Sequence, residues 1–276
     1  MSPEENKNSP DSPPLLSIIT VTLNNANGLE RTIKSVAAQG MKSFELIIID
    51  GGSADGTSDL IKKYQDVISA WISEPDHGIY DAMNKGMALA RGHYLNFLNA
   101  GDVYYNDSTL EMALMSEPAR SSDFIYGHMV IRESLEKGGH LQKAMHFDKK
   151  HLLKFGTGVL CHQALFIRRQ IAPGYDLRWR FKSELNWYFD ILERSVPLKI
   201  MQVDEPFIVY SLGGFGQVNF WANQREWFRL IRHRFGWSAI FRYLLPVRLI
   251  LKLPYRYKWI RHMLLFKKSE YDERHI

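Results

Sequence analysis

From residue 15 to 23 the chain reads LLSIITVTL. This β-branched apolar run is too short for a core helix and is closed by the turn formers Asn24, Asn25, Asn27 and Gly28, which predicts a buried strand. Leu29, Ile33 and Val36 then recur at helical spacing as far as Gln39, with Gly40 placed to end the helix. FELIIID, 44 to 50, is a second buried strand, after which Ser53 or Asp55 is positioned to cap a helix through Leu60 and Ile61. AWIS (70 to 73), a helix over 79 to 90 closed by Gly92, and a strand over 93 to 98 continue the alternation. Strands of continuous apolar character alternating with helices predict a parallel sheet covered on both faces.

The pattern then loosens. DFIYGHMVIRE (123 to 133) alternates like an edge or hairpin strand, VLCHQALFIRR (159 to 169) reads as one strand, and SELNWYFDILER (183 to 194) carries Leu185, Phe189 and Leu192 at helical spacing. KIMQVDEPFIVYSL returns to strand. From Asn219 the chain is helical, aromatic and basic, broken by Pro246 and Pro254. In open parallel sheets ligands sit beyond the carboxyl ends of the strands, which places Asn24, Asp50, Asp76 and Asp102 along one edge, where they could converge on one ligand.

Composition narrows the classes. A chain of 276 residues with 45% hydrophobic content buries a core, so global disorder is excluded. Its single cysteine, Cys161, rules out an intramolecular disulfide or a cysteine-built zinc site, suits a reducing, cytoplasmic compartment, and is read as a small buried hydrophobe. Residues 1–14 (MSPEENKNSPDSPP) lack the basic start and apolar run of a signal peptide and read as a disordered tail. Between Arg225 and Ile276 thirteen Lys and Arg face four Asp and Glu, a net +9, whereas residues 1 to 224 are mildly acidic. Any polyanionic partner is therefore sought in the last fifth of the chain, and a nucleic-acid-binding main domain is disfavoured.

Candidate chemistry follows from position. Asp50 ends a buried strand, and Gly51, Gly52 and Ser53 after it let a ligand approach the backbone; the geometry suits a nucleoside, although a βα turn with a helix cap has the same pattern. GxGxxG and P-loop patterns are absent, which removes support for dinucleotide and P-loop phosphate sites. Asp102, at the end of LNAGD, is a carboxylate suited to Mg²⁺ or Mn²⁺ carried with substrate phosphates, or else an Asp in an Asx turn. YSLGGFGQ, from Tyr210 to Gln217, is a glycine-rich loop that reads as a flap or as a simple turn.

SIITVTLNNANGLERTIKSVAAQ, FELIIIDGGSADGT, GIYDAMNKGMALARGHYLNFLNAGD and VLCHQALFIRR together resemble a family 2 glycosyltransferase with the GT-A fold, in the branch of bacterial polysaccharide enzymes such as those for colanic acid. The resemblance spans about residues 16 to 215. It implies an α/β, Rossmann-like mixed sheet flanked by helices and inverting transfer of a sugar from a nucleotide-sugar to an acceptor hydroxyl. By position it implies that Thr22 and Asn24 line the nucleotide pocket, that Asp50 contacts base or ribose, and that Asp81 with Lys85 lies near the donor. Asp102 matches the last acid of the family's DxD motif, with Asn99 and Gly101 standing at positions that are usually acidic. Glu184 falls on the family's general-base position, with Asn186 in place of an acid two residues on; the alternatives are an acid favoured by the helix dipole, or Asp190 as the reactive group. His162 and Gln163 stand where related sequences carry a similar pair and are assigned to the acceptor side, against the reading of a hydrogen-bonded core histidine.

The expected organisation is a tail over 1–14, a GT-A domain over 15–218 and a basic aromatic extension over 219–276. No window of the extension holds 18 apolar residues without charge, so an interfacial anchor on an anionic membrane surface fits it better than a spanning helix; a helix packed on the domain or a subunit contact are the alternatives. That anchor places the enzyme on the inner face of a bacterial cytoplasmic membrane, facing a lipid-linked or polysaccharide acceptor. Two other functions share features of the sequence. A sugar-1-phosphate nucleotidyltransferase lacks its glycine-rich, arginine-containing loop here, and a degenerate nucleotide-sugar-binding protein would explain the altered DxD.

Overall fold

The computed structural model describes residues 12–132, 139–211 and 220–244. Four strands, β1 (Leu16–Thr22), β2 (Phe44–Asp50), β3 (Ala70–Ser73) and β4 (Tyr94–Phe97), are parallel and alternate with helices α1 (Ala26–Ala37), α2 (Thr57–Lys63) and α3 (Ile79–Leu89). Their continuous apolar character has the expected cause. Ile19, Val21, Ile47 and Ile49 face one hydrophobic cluster and Leu16, Ile18, Leu46 and Ile48 the other, so neither face of β1 or β2 meets water, whereas the edge strand β3 leaves Trp71 exposed. Helix α3 lies so close on β1 that a β-carbon at Gly86 would collide with Ile19.

Beyond these come β5 (Val103–Tyr104), α4 (Thr109–Leu114), α5 (Glu117–Ser121), β6 (Phe124–Arg132), β7 (His140–Gln142), α6 (Lys149–Phe155), β8 (Leu165–Arg168), α7 (Ser183–Leu192), β9 (Ile200–Ser211) and α8 (Phe220–Ala239). The sheet order is β3-β2-β1-β4-β8-β6-β9-β5, with β7 paired to β6. Strand β8 is antiparallel to both neighbours, which makes the sheet mixed.

Several boundaries differ from the sequence reading. β6 is not an edge but an interior strand between β8 and β9, with Phe124, Ile125 and Tyr126 buried irrespective of alternation, while Met129–Ile131 pair antiparallel with β7 as the hairpin reading expects. Of residues 159 to 169 only Leu165–Arg168 pairs as strand; 3₁₀ turns at Gly156–Val159 and His162–Ala164 precede it. Helix α1 starts earlier than expected, with the Asn25 side chain accepting from the Gly28 N–H, and Gly40 is not left-handed. Helix α2 has Gly56 at its N-cap; Ser53 turns to Asp50, while Asp55 accepts from the N–H and the hydroxyl of Thr57, the first residue of the helix.

Helix α8, kinked at Gly236, packs on the domain. Leu230, Ile231, Ala239 and the following Ile240 join the same hydrophobic cluster as α7 and β4, so a boundary at 218/219 does not separate two cores. Residues 1–11, most of the Tyr210–Gln217 loop and 245–276 lie outside the described residues.

Candidate active site

The parallel register sets Thr22 opposite Asp50 and Asp50 opposite Ser73, so β1, β2 and β3 end in line. Above this edge lies a cleft of about 1020 Å³ whose walls include Thr22, Asp76, Asp81, Asn99, His162, Gln163 and Glu184. Thr22 Oγ1 and Asn99 Oδ1 are buried there without a hydrogen-bond partner among the described residues. Orphaned polar atoms in a cavity wall mark where a ligand supplies the missing bond.

Asp50 is not in that wall. Its carboxylate is buried and accepts from the Ser53 N–H, from Ser53 Oγ at 2.5 Å and from Ser73 Oγ at 2.6 Å. It therefore braces the β2 end against the β3 end. Asn24, at φ 49°, also braces: its N–H donates to Ser53 Oγ and its Oδ1 accepts from the Ala54 N–H, while Asn25 takes the place in the wall. Gly51 has its own reason. A β-carbon there would stand 2.6 Å from Asp76 Oδ2, so the acid facing the cleft at this point is Asp76, aimed by the Gly78 N–H on its Oδ1 at 2.8 Å.

Asp81 faces the cleft and accepts from the His77 N–H at 3.0 Å. Lys85 lies 3.6 Å from it, but pairs more closely with Glu74, at 2.7 Å. Lys85 thus fastens the 74–77 loop to α3 and is not in the wall.

Glu184 opens α7 and shares the cleft with His162. Its Oε2 is 3.2 Å from His162 Nδ1 and its Oε1 accepts from Tyr188 OH at 2.7 Å. Burial pushes the carboxyl up, but the charge and hydrogen bond of His162 outweigh it and hold Glu184 below the usual carboxylate range. Burial pulls the His162 imidazole down, and Glu184 more than compensates, so His162 sits above the usual histidine range. Asp190 is occupied otherwise, bound by Arg234 at 2.6 Å and by Asn186 at 2.8 Å, and it does not line the cleft.

Asp102 lies just behind the wall. Gln163 Nε2 donates to its Oδ2 at 2.8 Å and the Ser211 N–H to its Oδ1 at 3.0 Å. Burial pushes its carboxyl up to about 6, a rise that these hydrogen bonds and the charges of His162 and Arg31 only partly offset. Cys161 is half-buried and not fully enclosed; its Sγ donates to Gln163 Oε1 and burial pushes the thiol up.

The model of the family described as "Glycosyl transferase family 2" matches residues 17–174, the stretch that builds this cleft from β1 to the 3₁₀ turn of His162. The chain belongs to glycosyltransferase family 2. It is 36% identical over 211 residues to a PGL/p-HBAD biosynthesis glycosyltransferase of Mycobacterium bovis, covering 74% of this chain and 78% of that one. It shares its fold with Staphylococcus aureus TarS 1–349, solved in complex with UDP-GlcNAc, at a TM-score of 0.58 and 14% identity over 91% of this chain and 79% of that one. The mannosyltransferase PcManGT of Pyrobaculum calidifontis, solved with GDP-Man and Mn²⁺, gives a TM-score of 0.56 at 14% identity, covering 95% and 77% of the two chains. The fold of this glycosyltransferase is GT-A.

Among the described residues of the glycosyltransferase no group of three His, Cys, Asp or Glu side chains converges to hold a metal. The donor set fits a cation that arrives with a diphosphate. A hard cation needs only one or two protein carboxylates beside phosphate and water, and each Asp102 oxygen has spent one of its two lone-pair sites.

Sequence reasoning missed Glu226, on α8. Its carboxylate accepts from the backbone N–H groups of Arg180 at 2.9 Å, Phe181 at 2.5 Å and Lys182 at 2.8 Å, the lead-in to Glu184. Its one visible signal is an acid in a strongly basic stretch.

Proposed function

We propose that this glycosyltransferase moves a sugar, with inversion at the anomeric carbon, from a nucleoside-diphosphate sugar to a hydroxyl of a lipid-linked or polysaccharide acceptor. The observation that carries the reading is one cleft holding a buried carboxylate, Glu184, 3.2 Å from His162, together with the orphaned Thr22 hydroxyl and the acid Asp76. The acceptor oxygen attacks the anomeric carbon, the bond from that carbon to the diphosphate oxygen breaks, and the diphosphate leaves with the electron pair. Glu184 takes the hydroxyl proton during the attack. Asp102 would hold Mg²⁺ or Mn²⁺, whose positive charge would offset that of the leaving diphosphate.

Asp76 is assigned to the nucleobase. A carboxylate that replaces a side chain at position 51 favours a base with a ring N–H, such as uracil, thymine or guanine; cytosine and adenine present a ring lone pair beside their amino group. Thermal-shift and calorimetric titration with UDP, dTDP, GDP, CDP and ADP, each with and without Mn²⁺ or Mg²⁺, test this. Asp76→Asn weakens the preferred nucleotide by about 10- to 100-fold, the worth of a charge-assisted hydrogen bond. Preference for CDP or ADP, or an unaffected variant, overturns the assignment.

The acceptor side is assigned to a membrane surface. No helix among the described residues is long and apolar enough to cross a membrane. Helix α8 and the turn after it turn Trp237 (54% exposed) and Phe241 (63% exposed) outward, with Arg232 over the Trp237 ring and the exposed Arg242 close by. Rings of this kind settle at headgroup depth, and each basic group contributes roughly 1 kcal/mol near an anionic leaflet. The protein is expected to float with phosphatidylglycerol vesicles at low salt, and Trp237→Ser/Phe241→Ser to lose at least about tenfold in partitioning. Equal flotation of the two removes the surface.

A further inference from the structure

Given Glu184 as the base, we infer that His162 is its positioning residue: the imidazole aims the carboxylate and keeps it ionised inside a buried, aromatic pocket. The inference rests on the general-base reading above and extends it to a residue that sequence position assigns to the acceptor side.

The turn that carries His162 is fixed independently of its side chain. Asn96 of β4 donates through Nδ2 to the carbonyls of Gln163 and Leu165, both at 2.8 Å, and Tyr104 OH holds Asn96 Oδ1 at 2.8 Å. From that pinned backbone the imidazole reaches across to α7, with Nδ1 3.2 Å from Glu184 Oε2 and Nε2 3.3 Å from Asn99 Nδ2. Both rings of contact leave His162 little freedom, and its side chain is only 12% exposed, against 13% for Glu184. With a proton on Nδ1 facing the carboxylate, Nε2 accepts from the Asn99 amide. With both nitrogens protonated, the Asn99 amide turned over presents its orphaned Oδ1 to Nε2–H, so the pocket accommodates either charge state.

Among the described residues His162 is the strongest cationic influence on Glu184. Tyr188 of its own helix donates to Oε1, Tyr80 of α3 and Tyr175 before α7 stand beside it as neutral phenols whose pKa values burial raises, and Cys161 and Tyr210 are likewise held neutral. Lys182, two residues ahead, contributes charge, but it comes behind His162 and Tyr188 among the influences on Glu184, and its ammonium lies over the Trp227 ring at 5.2 Å. The charge of Asp102 adds to the field that keeps the imidazole charged. Remove the imidazole, and burial in that setting favours the protonated acid.

The sign follows. Glu184 works ionised, so with Mn²⁺ saturating, which holds Asp102 charged in wild type and variant alike, the acid limb of the kcat–pH profile reports its loss. In His162→Gln, which retains an amide donor but no charge, the limb moves to higher pH by about one to three units and the rate converges on wild type at alkaline pH, while donor KM is unchanged. A loss that is uniform across pH, or an unmoved limb, overturns the inference. Should His162→Gln not fold, histidine NMR titration of the wild type and Glu184→Gln decides: one imidazole titrating above the usual range in the wild type falls back in the variant, and no movement of any imidazole overturns the pairing. Glu184→Gln also separates the two failures. If that variant transfers sugar at the wild-type rate, the base reading falls and this inference with it; if it is inactive while the His162→Gln limb stays in place, the positioning role alone falls.

Discussion

Glu184→Gln slows sugar transfer by about 10²- to 10⁴-fold, the range for removing a positioned general base. Glutamine has nearly the same volume and keeps an oxygen for Tyr188 OH, so the cavity between α7 and the His162 turn stays filled. What disappears is the proton acceptor. Because the lost interaction belongs to the transition state, kcat and kcat/KM fall together and nucleoside-diphosphate affinity stays within about twofold. Steady-state kinetics with a saturating donor and a direct binding titration on the same preparation make the check. If Glu184 were only a helix-start acid favoured by the dipole, the substitution would lower the melting temperature and leave kcat nearly intact, and that pattern would remove the mechanism.

The two ends of this argument differ in how far the sequence reveals them. β1 to β4 and α1 to α3 are readable because burial on both faces writes itself as continuous apolar runs, and Thr22, Asp81 and Glu184 are found at the cleft because strand ends and helix starts fix their positions. His162 and Gln163 owe their place to a 3₁₀ turn that the sequence reads as strand, and only the family resemblance marks them; direction is not readable from pattern either. Asp50 ends its strand as expected, yet its carboxylate turns to Ser73, 23 residues on, and the wall position passes to Asp76 through the space that Gly51 leaves open. VLCHQALFIRR has the composition of a strand throughout. It breaks into a 3₁₀ turn at His162–Ala164 because Asn96, a buried polar residue in β4, captures the carbonyls there. The basic stretch keeps both of its sequence readings in view: Leu230 and Ile231 of α8 are fully buried in the core, as in a helix packed on the domain, while Trp237 and Phe241 stay exposed.

That docking carries the second large effect. Three successive backbone N–H groups ahead of Ser183, those of Arg180, Phe181 and Lys182, donate to the Glu226 carboxylate of α8. Farther along, Arg234 ties the same two helices, bonding Asn186 Oδ1 at 2.8 Å and pairing with Asp190 and Glu193. Glu226→Ala strands the N–H groups and removes a charge-assisted cluster, at a cost of about 3 kcal/mol or more in unfolding free energy. The catalytic loss is expected to outlast the stability loss. Below the melting transition, kcat still falls by about 10²-fold, because a displacement of Glu184 on the order of 1 Å spoils the attack geometry. Glu226→Gln, which keeps one oxygen for the loop, is intermediate in both. Urea unfolding and kcat, measured on the wild type and both variants, test the clamp: a Glu226→Ala protein with the wild-type midpoint and the wild-type turnover would show that α8 rests on the domain without holding the base in place.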